Sequence, residues 1–382
     1  MSETLRIGHV IHSLGPGGAE NVLVDLADAA TSAGLEIVVV GLSPVSDPVH
    51  ARTLRSMGVT VAELDMGRWD VRAVPRTVAL LRRHGVAVVH SHLKHADLVG
   101  AVAAARLGLP LVSTLHLIED GPVGVVGRMK RSAGLFARRR LAARTIALSR
   151  SQLRWYEELA GSTQGLVVLP NGVRDPGPPA PGRREHARAG LGVPSDGLLV
   201  ASASLMRPEK GHDLLLDAIR LLADAPGLTV ALGGDGPLRE HLEQRVAADE
   251  RLRGRVRFLG YVHDVPELLR AADLVLHTSL ADALPTALMH ALAVGTPVVA
   301  TRVGGIPDIV TPDVGTLVAT DPVQIADAVR ALAADPAVRA AMSSAARARF
   351  LQRFEATGWA QRLRGVYEQV LQERDLPGSP IR

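Results

Sequence analysis

Short apolar segments alternate with longer amphipathic segments along the first half of the chain. An apolar run of about four to eight residues predicts a buried strand, and apolar residues every three or four positions predict a helix. Residues 6–12 are therefore expected to form a strand and residues 19–33 a helix. Further strands are expected over 36–42, 59–64, 86–90, 110–115 and 145–148, with helices between them. This alternation predicts a parallel sheet with right-handed crossovers.

A second alternating run begins at residue 197. Its expected strands cover 198–203, 228–232, 255–259, 273–277, 298–300 and 313–319. Residues 174–187, which join the two runs, are rich in proline, glycine and charge and are expected to form a linker. Because 382 residues exceed what one hydrophobic core usually serves, the sequence predicts an α/β protein with two doubly wound domains, over residues 1–173 and 188–354.

Composition and charge narrow the classes of function. The chain has no cysteine, which excludes disulfides and thiolate metal sites and is typical of a cytoplasmic protein. Aromatic residues are only 3% of the chain, too few for a single-stranded nucleic-acid platform, so no nucleic-acid partner is expected. The net charge of +4 suits anionic partners such as nucleotide diphosphates or acidic lipids. Neither a signal peptide nor a membrane-spanning run is predicted, so the expected location is the cytoplasm.

A glycine-rich loop separates the first strand from the first helix. Glycines such as Gly17 and Gly18 at a helix start let backbone N–H groups approach a phosphate. The loop does not match a dinucleotide-binding fingerprint, because Glu20 stands where that motif requires glycine. A tight turn between strand and helix explains the glycines equally well.

Histidines lie where two neighbouring strands are expected to end. His90 and His92 close one strand, and His116 follows the next. Functional residues of doubly wound sheets gather at the carboxyl ends of strands. Metal sites usually show ligands one helical turn apart, and these histidines do not have that spacing, so we expect no bound metal.

Residues 279–309 combine the features of an anion-binding corner. Pro285 suits the first turn of a helix and Gly295 suits its left-handed C-cap. Asp282 comes just before this helix, and His290 lies near its middle. A helix start beside the Gly304-Gly305 turn favours negatively charged ligands. An ordinary helix–strand unit remains the alternative interpretation.

This stretch resembles the Glu–seven residues–Glu motif of the glycosyltransferase family 4 enzymes. The matching run is Asp282-Ala-Leu-Pro, His290-Ala-Leu-Ala, Gly295-Thr-Pro-Val-Val-Ala-Thr and Gly304-Gly305. Two acidic landmarks differ, because Asp282 replaces the first glutamate and His290 the second. Further similar segments are Gly-Gly-Ala-Glu at 17–20, Pro-Asn-Gly-Val at 170–173 and Gly-Asp-Gly-Pro at 234–237. The resemblance covers essentially the whole chain.

The resemblance implies a GT-B-type fold, with two Rossmann-like domains and a cleft between them. Residues 1–173 would form the acceptor domain, a helix at about 355–376 would pack back on it, and residues 188–354 would bind the donor. The family also has an arginine five or six residues before the lysine that matches Lys210. Here that place holds Ser204 or Leu205, and Arg207 is the expected substitute.

The resemblance also implies roles for individual residues. The expected catalytic residues are His116 and Asp282, which would contact the donor sugar. The expected donor-binding residues are Gly17, Gly18, Arg207, Lys210, Gly234, Tyr261, Asp282, His290, Gly304 and Gly305. Glu20 and His92 are expected on the acceptor side. The implied reaction moves a sugar from a UDP- or GDP-sugar to an acceptor hydroxyl with retention of configuration, without metal or cofactor.

Three interpretations of activity stay open at the level of sequence. The first is an active glycosyltransferase. The second is a nucleotide-sugar-binding pseudoenzyme or a non-catalytic partner subunit, suggested by the changes at 204, 282 and 290. The third is a related GT-B enzyme such as an epimerase or a phosphorylase, although no lysine in a pyridoxal-phosphate context is recognisable.

Residues 121–144 alternate apolar and basic blocks. Helices that lie on anionic membranes have this pattern, so peripheral contact with the inner face of a membrane is one expectation. A solvated helix face beside the acceptor site is the other.

Overall fold

The computed structural model describes residues 4–376 except 16, 68–69, 117, 119–123 and 195. The chain divides into two compact units. The first unit comprises Met1–Arg174 and Ala356–Arg382, and the second comprises Asp175–Glu355.

The first unit contains a parallel sheet of seven strands. The strands are β1 Leu5–Ile11, β2 Leu35–Gly41, β3 Thr60–Glu63, β4 Val88–His92, β5 Leu111–Thr114, β6 Ala142–Ala147 and β7 Leu166–Val168. Their order in the sheet is β3-β2-β1-β4-β5-β6-β7. The helices between them are α1 Gly18–Ala30, α2 Val49–Ser56, α3 Ala73–Arg83, α4 Lys94–Leu107, α5 Gly124–Leu141 and α6 Arg150–Ala160. The order reverses at β1 and β4, which is where ligands usually bind in such sheets.

The second unit contains a parallel sheet of six strands. The helices, in chain order, are α7 Arg183–Gly190, α8 His212–Arg220, α9 Arg239–Ala248, α10 Val265–Ala271, α11 Thr286–Val294, α12 Ile306–Ile309, α13 Pro322–Ala334 and α14 Pro336–Arg353. The strands are β8 Leu199–Ala203, β9 Thr229–Gly233, β10 Val256–Gly260, β11 Leu274–His277, β12 Val298–Thr301 and β13 Gly315–Val318, in the order β10-β9-β8-β11-β12-β13. The last helix, α15 Ala356–Asp375, belongs to the first unit.

Runs of aliphatic residues account for both sheets. Val38, Val39 and Val40 of β2 are all fully buried, as expected for a parallel strand that is covered on both faces. Helix ends follow local chemistry in the same way. Ser149 accepts a hydrogen bond from the backbone N–H of Gln152 at the start of α6, and Gly295 ends α11 in the left-handed conformation. The predicted fold class is therefore confirmed.

The stretch that was expected to be a linker, 174–187, is partly helical. Helix α7 begins at Arg183, and its residues Arg184 and Arg188 both form ion pairs with Asp273 at 2.7 and 2.9 Å. These ion pairs attach α7 to the second unit, which explains why a segment rich in proline and charge is ordered. No helix among the described residues is long and apolar enough to cross a membrane.

Candidate active site

The carboxyl ends of the central strands of the first unit carry a layer of histidines. His9 of β1 lies opposite His90 of β4, and His92 lies opposite Thr114 of β5. Side chains of residues two apart in a strand point to the same face, so the three imidazoles come together. The rings of His90 and His92 stack with centroids 4.4 Å apart, and all three histidines are buried.

Hydrogen bonds join three of these imidazoles in a row. His9 Nδ1 lies 3.0 Å from His92 Nε2, and His92 Nδ1 lies 2.9 Å from His116 Nε2. His116 is the half-buried end of this row, which we call the histidine chain (His9, His92 and His116). His90 is anchored separately, through the hydroxyls of Tyr367 at 2.6 Å and Thr114 at 2.7 Å.

The opposite face of the same strands holds a buried carboxylate. Asp97 accepts hydrogen bonds from Ser91 and Ser113, both at 2.7 Å. Arg138 of α5 forms an ion pair with Asp97 at 2.5 Å. These bonds attach α4 and α5 to the sheet directly behind the histidine layer.

Burial keeps the histidines uncharged. It lowers the pKa of His9 to about 3, and it lowers the pKa of His116 to about 4, with a further contribution from the positive charge of Arg138. The pKa values of His90 and His92 are also lowered well below the usual value, chiefly by burial. At neutral pH these imidazoles are therefore hydrogen-bonding groups and not cations.

One set of nitrogens in this layer has the spacing of a metal site. The ligand atoms of His9, His90 and His92 lie within 4.8 Å of one another. Both nitrogens of His90 are engaged by hydroxyls, and both of His92 by imidazoles. Metal-ligating histidines usually bond to a carboxylate or carbonyl through the second nitrogen, which differs from this arrangement. The expectation of no metal stays a prediction.

The second unit brings a lysine and a carboxylate together at the ends of β8 and β11. Lys210, at the end of a short 3-10 helix, places Nζ 2.5 Å from Asp282 Oδ2. His277 Nε2 lies 3.3 Å from the same oxygen, and Ser279 Oγ lies 3.2 Å from it. Lys210 and Asp282 keep 21% and 11% of their side chains exposed, so a ligand can reach the pair.

The Asp282 carboxylate is ionised at any physiological pH. Burial raises its pKa, but the hydrogen bond from His277 and the charge of Lys210 outweigh burial and lower it to about 2. An ionised carboxylate only accepts hydrogen bonds. Asp282 is therefore suited to hold the hydroxyl groups of a sugar.

Glycines let the surrounding loops approach closely. Gly304 has φ +50°, and a Cβ there would lie 1.8 Å from the Asp282 carbonyl oxygen. The next residue, Gly305, donates its backbone N–H to that oxygen at 2.9 Å. Gly234 has φ +138°, and its Cβ would lie 1.9 Å from the Ser204 carbonyl oxygen. Side chains are thus excluded from both turns.

The structure brings some of the expected residues of the second unit together. Lys210, Asp282 and the Gly304-Gly305 turn share one site. Arg207 and Tyr261 are exposed, and His290 is buried in α11. In the first unit, Gly17 and Gly18 begin α1, and Glu20 is buried in its first turn.

His92 was expected on the acceptor side, and that role stays a prediction. In the structure it is 3% exposed, and its two ring nitrogens bond to His9 and His116. It therefore lies behind His116. His9, His277 and Ser279 are candidate-site residues that the sequence interpretation did not single out. The register of β1 and β4 would have revealed His9, and the end of β11 at His277, two residues before Ser279, would have revealed the other two.

Comparisons with known proteins identify the family of the chain. A family model described as "Glycosyltransferase Family 4" matches residues 16–175, and one described as "Glycosyl transferases group 1" matches residues 196–335. D-inositol 3-phosphate glycosyltransferase of Saccharomonospora viridis is 32% identical, over 74% of this chain and 70% of that protein. The 2-deoxystreptamine glucosyltransferase of Streptomyces kanamyceticus is 30% identical, over 69% of this chain and 71% of that protein.

Solved structures are similar along nearly the whole chain. Anabaena HepE, solved in complex with UDP, has a TM-score of 0.82 and 26% identity, and the match covers 96% of this chain and 100% of HepE. HepE was also solved with UDP-glucose, and that structure has a TM-score of 0.82 and 25% identity over the same shares. From the two sheets, the two family matches and these relatives, the chain belongs to glycosyltransferase family 4, whose fold is of the GT-B type.

Proposed function

We propose that this chain transfers a sugar from a UDP-sugar to an acceptor hydroxyl, with retention of configuration and without a divalent metal. The pairing of Lys210 with Asp282 beside a glycine turn carries the proposal. The relationship to HepE, which was solved with UDP and UDP-glucose, supports the choice of UDP.

Lys210 would stabilise the leaving diphosphate. Its ammonium group has three N–H donors, of which one is directed at Asp282, so others remain for phosphate oxygens. Charge develops on the diphosphate as the glycosidic bond breaks, and a preorganised cation lowers the energy of that state. The backbone N–H of Gly304 would add to the same effect.

Asp282 and His116 would position the sugar. The Asp282 carboxylate would accept hydrogen bonds from sugar hydroxyls, while a neutral imidazole supplies one donor and one acceptor. A neutral His116 would also place no positive charge beside an oxocarbenium-like sugar. Holding the reacting carbon in place supplies a large part of the catalysis.

The acceptor is proposed to be a small ring that carries several hydroxyl groups. Two relatives are named for such rings, D-inositol 3-phosphate and 2-deoxystreptamine. Both are six-membered carbocycles, so acceptors of this class are the first to test.

A membrane surface is a separate proposal for α5. Phe136 and Leu141 expose 61% and 42% of their areas, and Arg139 and Arg140 are exposed beside them. Exposed apolar and basic residues on one helix favour an anionic bilayer surface. The segment expected to make this contact includes residues 121–123, which lie outside the described residues. Sedimentation with vesicles containing phosphatidylglycerol tests it, and Phe136→Ser should reduce binding.

A donor screen tests the main proposal. The purified chain is incubated with UDP-glucose, UDP-N-acetylglucosamine or GDP-mannose and a cyclitol acceptor, with and without chelator, and release of the nucleotide diphosphate is followed. If the proposal is right, UDP is released in the presence of chelator, and its release depends on the acceptor. Tight UDP binding without release for any donor would favour the nucleotide-sugar-binding pseudoenzyme.

A further inference from the structure

The histidine chain has a property that a single buried histidine lacks. Each of its two hydrogen bonds joins one ring nitrogen to another, at 3.0 and 2.9 Å. A neutral imidazole carries one N–H and one bare nitrogen. Each bond needs one of each kind, so the tautomer of one ring decides the tautomers of the other two.

Only two arrangements of the three protons satisfy both bonds. In the first, each ring carries its proton on Nδ1, and His9 donates to His92, which donates to His116. In the second, each ring carries its proton on Nε2, and the donation runs in the opposite direction. The two arrangements present different groups at the exposed end, because His116 Nδ1 is a donor in the first and an acceptor in the second.

The buried end of the chain distinguishes the two arrangements. His9 Nε2 is buried and has no hydrogen-bond partner among the described residues. In the second arrangement this atom would be a buried N–H without an acceptor, which native proteins rarely contain. In the first arrangement it is a bare nitrogen, so no donor is orphaned.

We propose that His92 and His9 are positioning residues that hold His116 as the neutral Nδ1–H tautomer, so that its outer nitrogen donates a hydrogen bond to an oxygen of the donor sugar. The proposal rests on the proposed function for the identity of that oxygen. The tautomer itself is a property of the free protein.

The histidine chain is suited to fix the tautomer of His116 and not to hold an additional proton. A proton passed inward from His116 would leave a charged ring on His9, and burial opposes that charge. Among the described residues, His90 and Tyr367 lie on the same face of the sheet as the histidine chain, and Asp97 and Arg138 lie on the other. Asp97 is already paired with Arg138, so this carboxylate is not available to stabilise an imidazolium in the histidine chain.

Nitrogen NMR of the free protein tests the tautomer directly. With ¹⁵N-labelled histidine, the shifts and the couplings to the ring carbon protons identify which nitrogen of each ring is protonated. We expect Nδ1–H tautomers for His9, His92 and His116 at pH 7. A mixture of tautomers at His116, or an Nε2–H tautomer, would overturn the proposal whether or not the chain transfers sugar.

Paired variants of His92 test the effect on turnover. The amide of His92→Asn lies near the Nδ1 position and can still donate to His116, so turnover should stay within about twofold. The amide of His92→Gln lies near the Nε2 position and loses that bond. Turnover should then fall by about five- to tenfold, the effect of one lost hydrogen bond. Equal loss in both variants would overturn the proposal.

A control variant and a pH profile separate positioning from stability. His90→Gln alters a residue that is equally buried on the same strand but bonds to Tyr367 and Thr114, so it should lower melting temperature and leave turnover per folded molecule unchanged. In His92→Ala, water can reach His116, and the pH profile of turnover should show a new limb near pH 6, from titration of His116, that the wild type lacks. Absence of that limb in an active, folded variant would contradict the role.

Metal analysis tests the alternative that His9, His90 and His92 bind a metal ion. One equivalent of zinc that co-purifies with the wild type, and is lost from His9→Phe and His90→Gln alike, would mean that these histidines hold a metal. That result would overturn the tautomer assignment, because ligating nitrogens carry no proton.

Discussion

Substitutions of Lys210 and of Asp282, which form an ion pair, should have different effects on the affinity for UDP. Lys210→Met removes the cation that we propose binds the diphosphate. Asp282→Asn removes the carboxylate that forms an ion pair with this cation in the free protein. The two groups lie 2.5 Å apart, so each variant acts on the same contact.

The structure sets the size of both effects. Loss of a charge-assisted hydrogen bond costs about 1.5–3 kcal/mol, so Lys210→Met should weaken UDP binding about 10- to 150-fold. Asp282→Asn releases the ammonium group and removes a negative charge near the ligand. UDP binding should therefore be unchanged or tighter by up to about fivefold, the energy of a partly exposed pair, while sugar transfer should be lost.

Folding stability supplies an independent check on Asp282. A carboxyl whose pKa falls from 3.8 to about 2 on folding contributes about 2 kcal/mol to the free energy of unfolding. That contribution is present above pH 4 and is lost as the pH falls towards 2. Asp282→Asn should thus be less stable than wild type at pH 7, and the difference should shrink in acid.

Calorimetry with UDP, combined with urea unfolding, measures both quantities. Lys210→Arg is the matched control, because it keeps the charge and should lose much less affinity than Lys210→Met. If Asp282→Asn weakened UDP binding as much as Lys210→Met does, the pair would act as one structural unit, and the assignment of Lys210 to the diphosphate would fail.

Three further predictions follow from other residues. If His290 serves the donor in place of the family's second glutamate, His290→Glu should preserve or raise UDP affinity and His290→Ala should lower it by about 1–2 kcal/mol; equal affinities would remove His290 from the site. Acid should lower the free energy of unfolding below about pH 6.5, because His9 and His116 gain protons in the unfolded chain that they cannot accept when buried. Each histidine contributes up to about 1.4 kcal/mol per pH unit. The free energy of unfolding of His9→Phe, measured with urea at several pH values, should therefore fall less steeply with decreasing pH than that of the wild type. Gly304→Ala should reduce both folding stability and UDP affinity, whereas Gly365→Ala, in an open position of α15, should stabilise the fold by about 0.5–1 kcal/mol. Unchanged stability and UDP affinity in Gly304→Ala would show that the close turn is not needed.

The fold could be predicted from the sequence because local patterns decide it. Aliphatic runs such as 36–42 identified parallel strands, and Pro285 with Gly295 marked the ends of a helix that the structure places at Thr286–Val294. Helix α7 was missed because its stability comes from ion pairs to Asp273, which is distant in sequence.

The site was predictable only in part. A motif with strict spacing indicated Asp282 and the Gly304-Gly305 turn. The hydrogen bonds of His92 were not predictable, because they depend on which strands are neighbours and on their register. His9 and His92 are separated by 83 residues and meet only because β1 pairs with β4.

The stereochemistry of the product tests the central claim most directly. UDP-glucose carries an α-linked sugar, so proton NMR of the product formed with a cyclitol acceptor in the presence of chelator reports both transfer and configuration. The proposed function predicts an α-linked product that forms at the same rate with chelator and with magnesium. A β-linked product, a requirement for magnesium, or UDP binding without any transfer would contradict it.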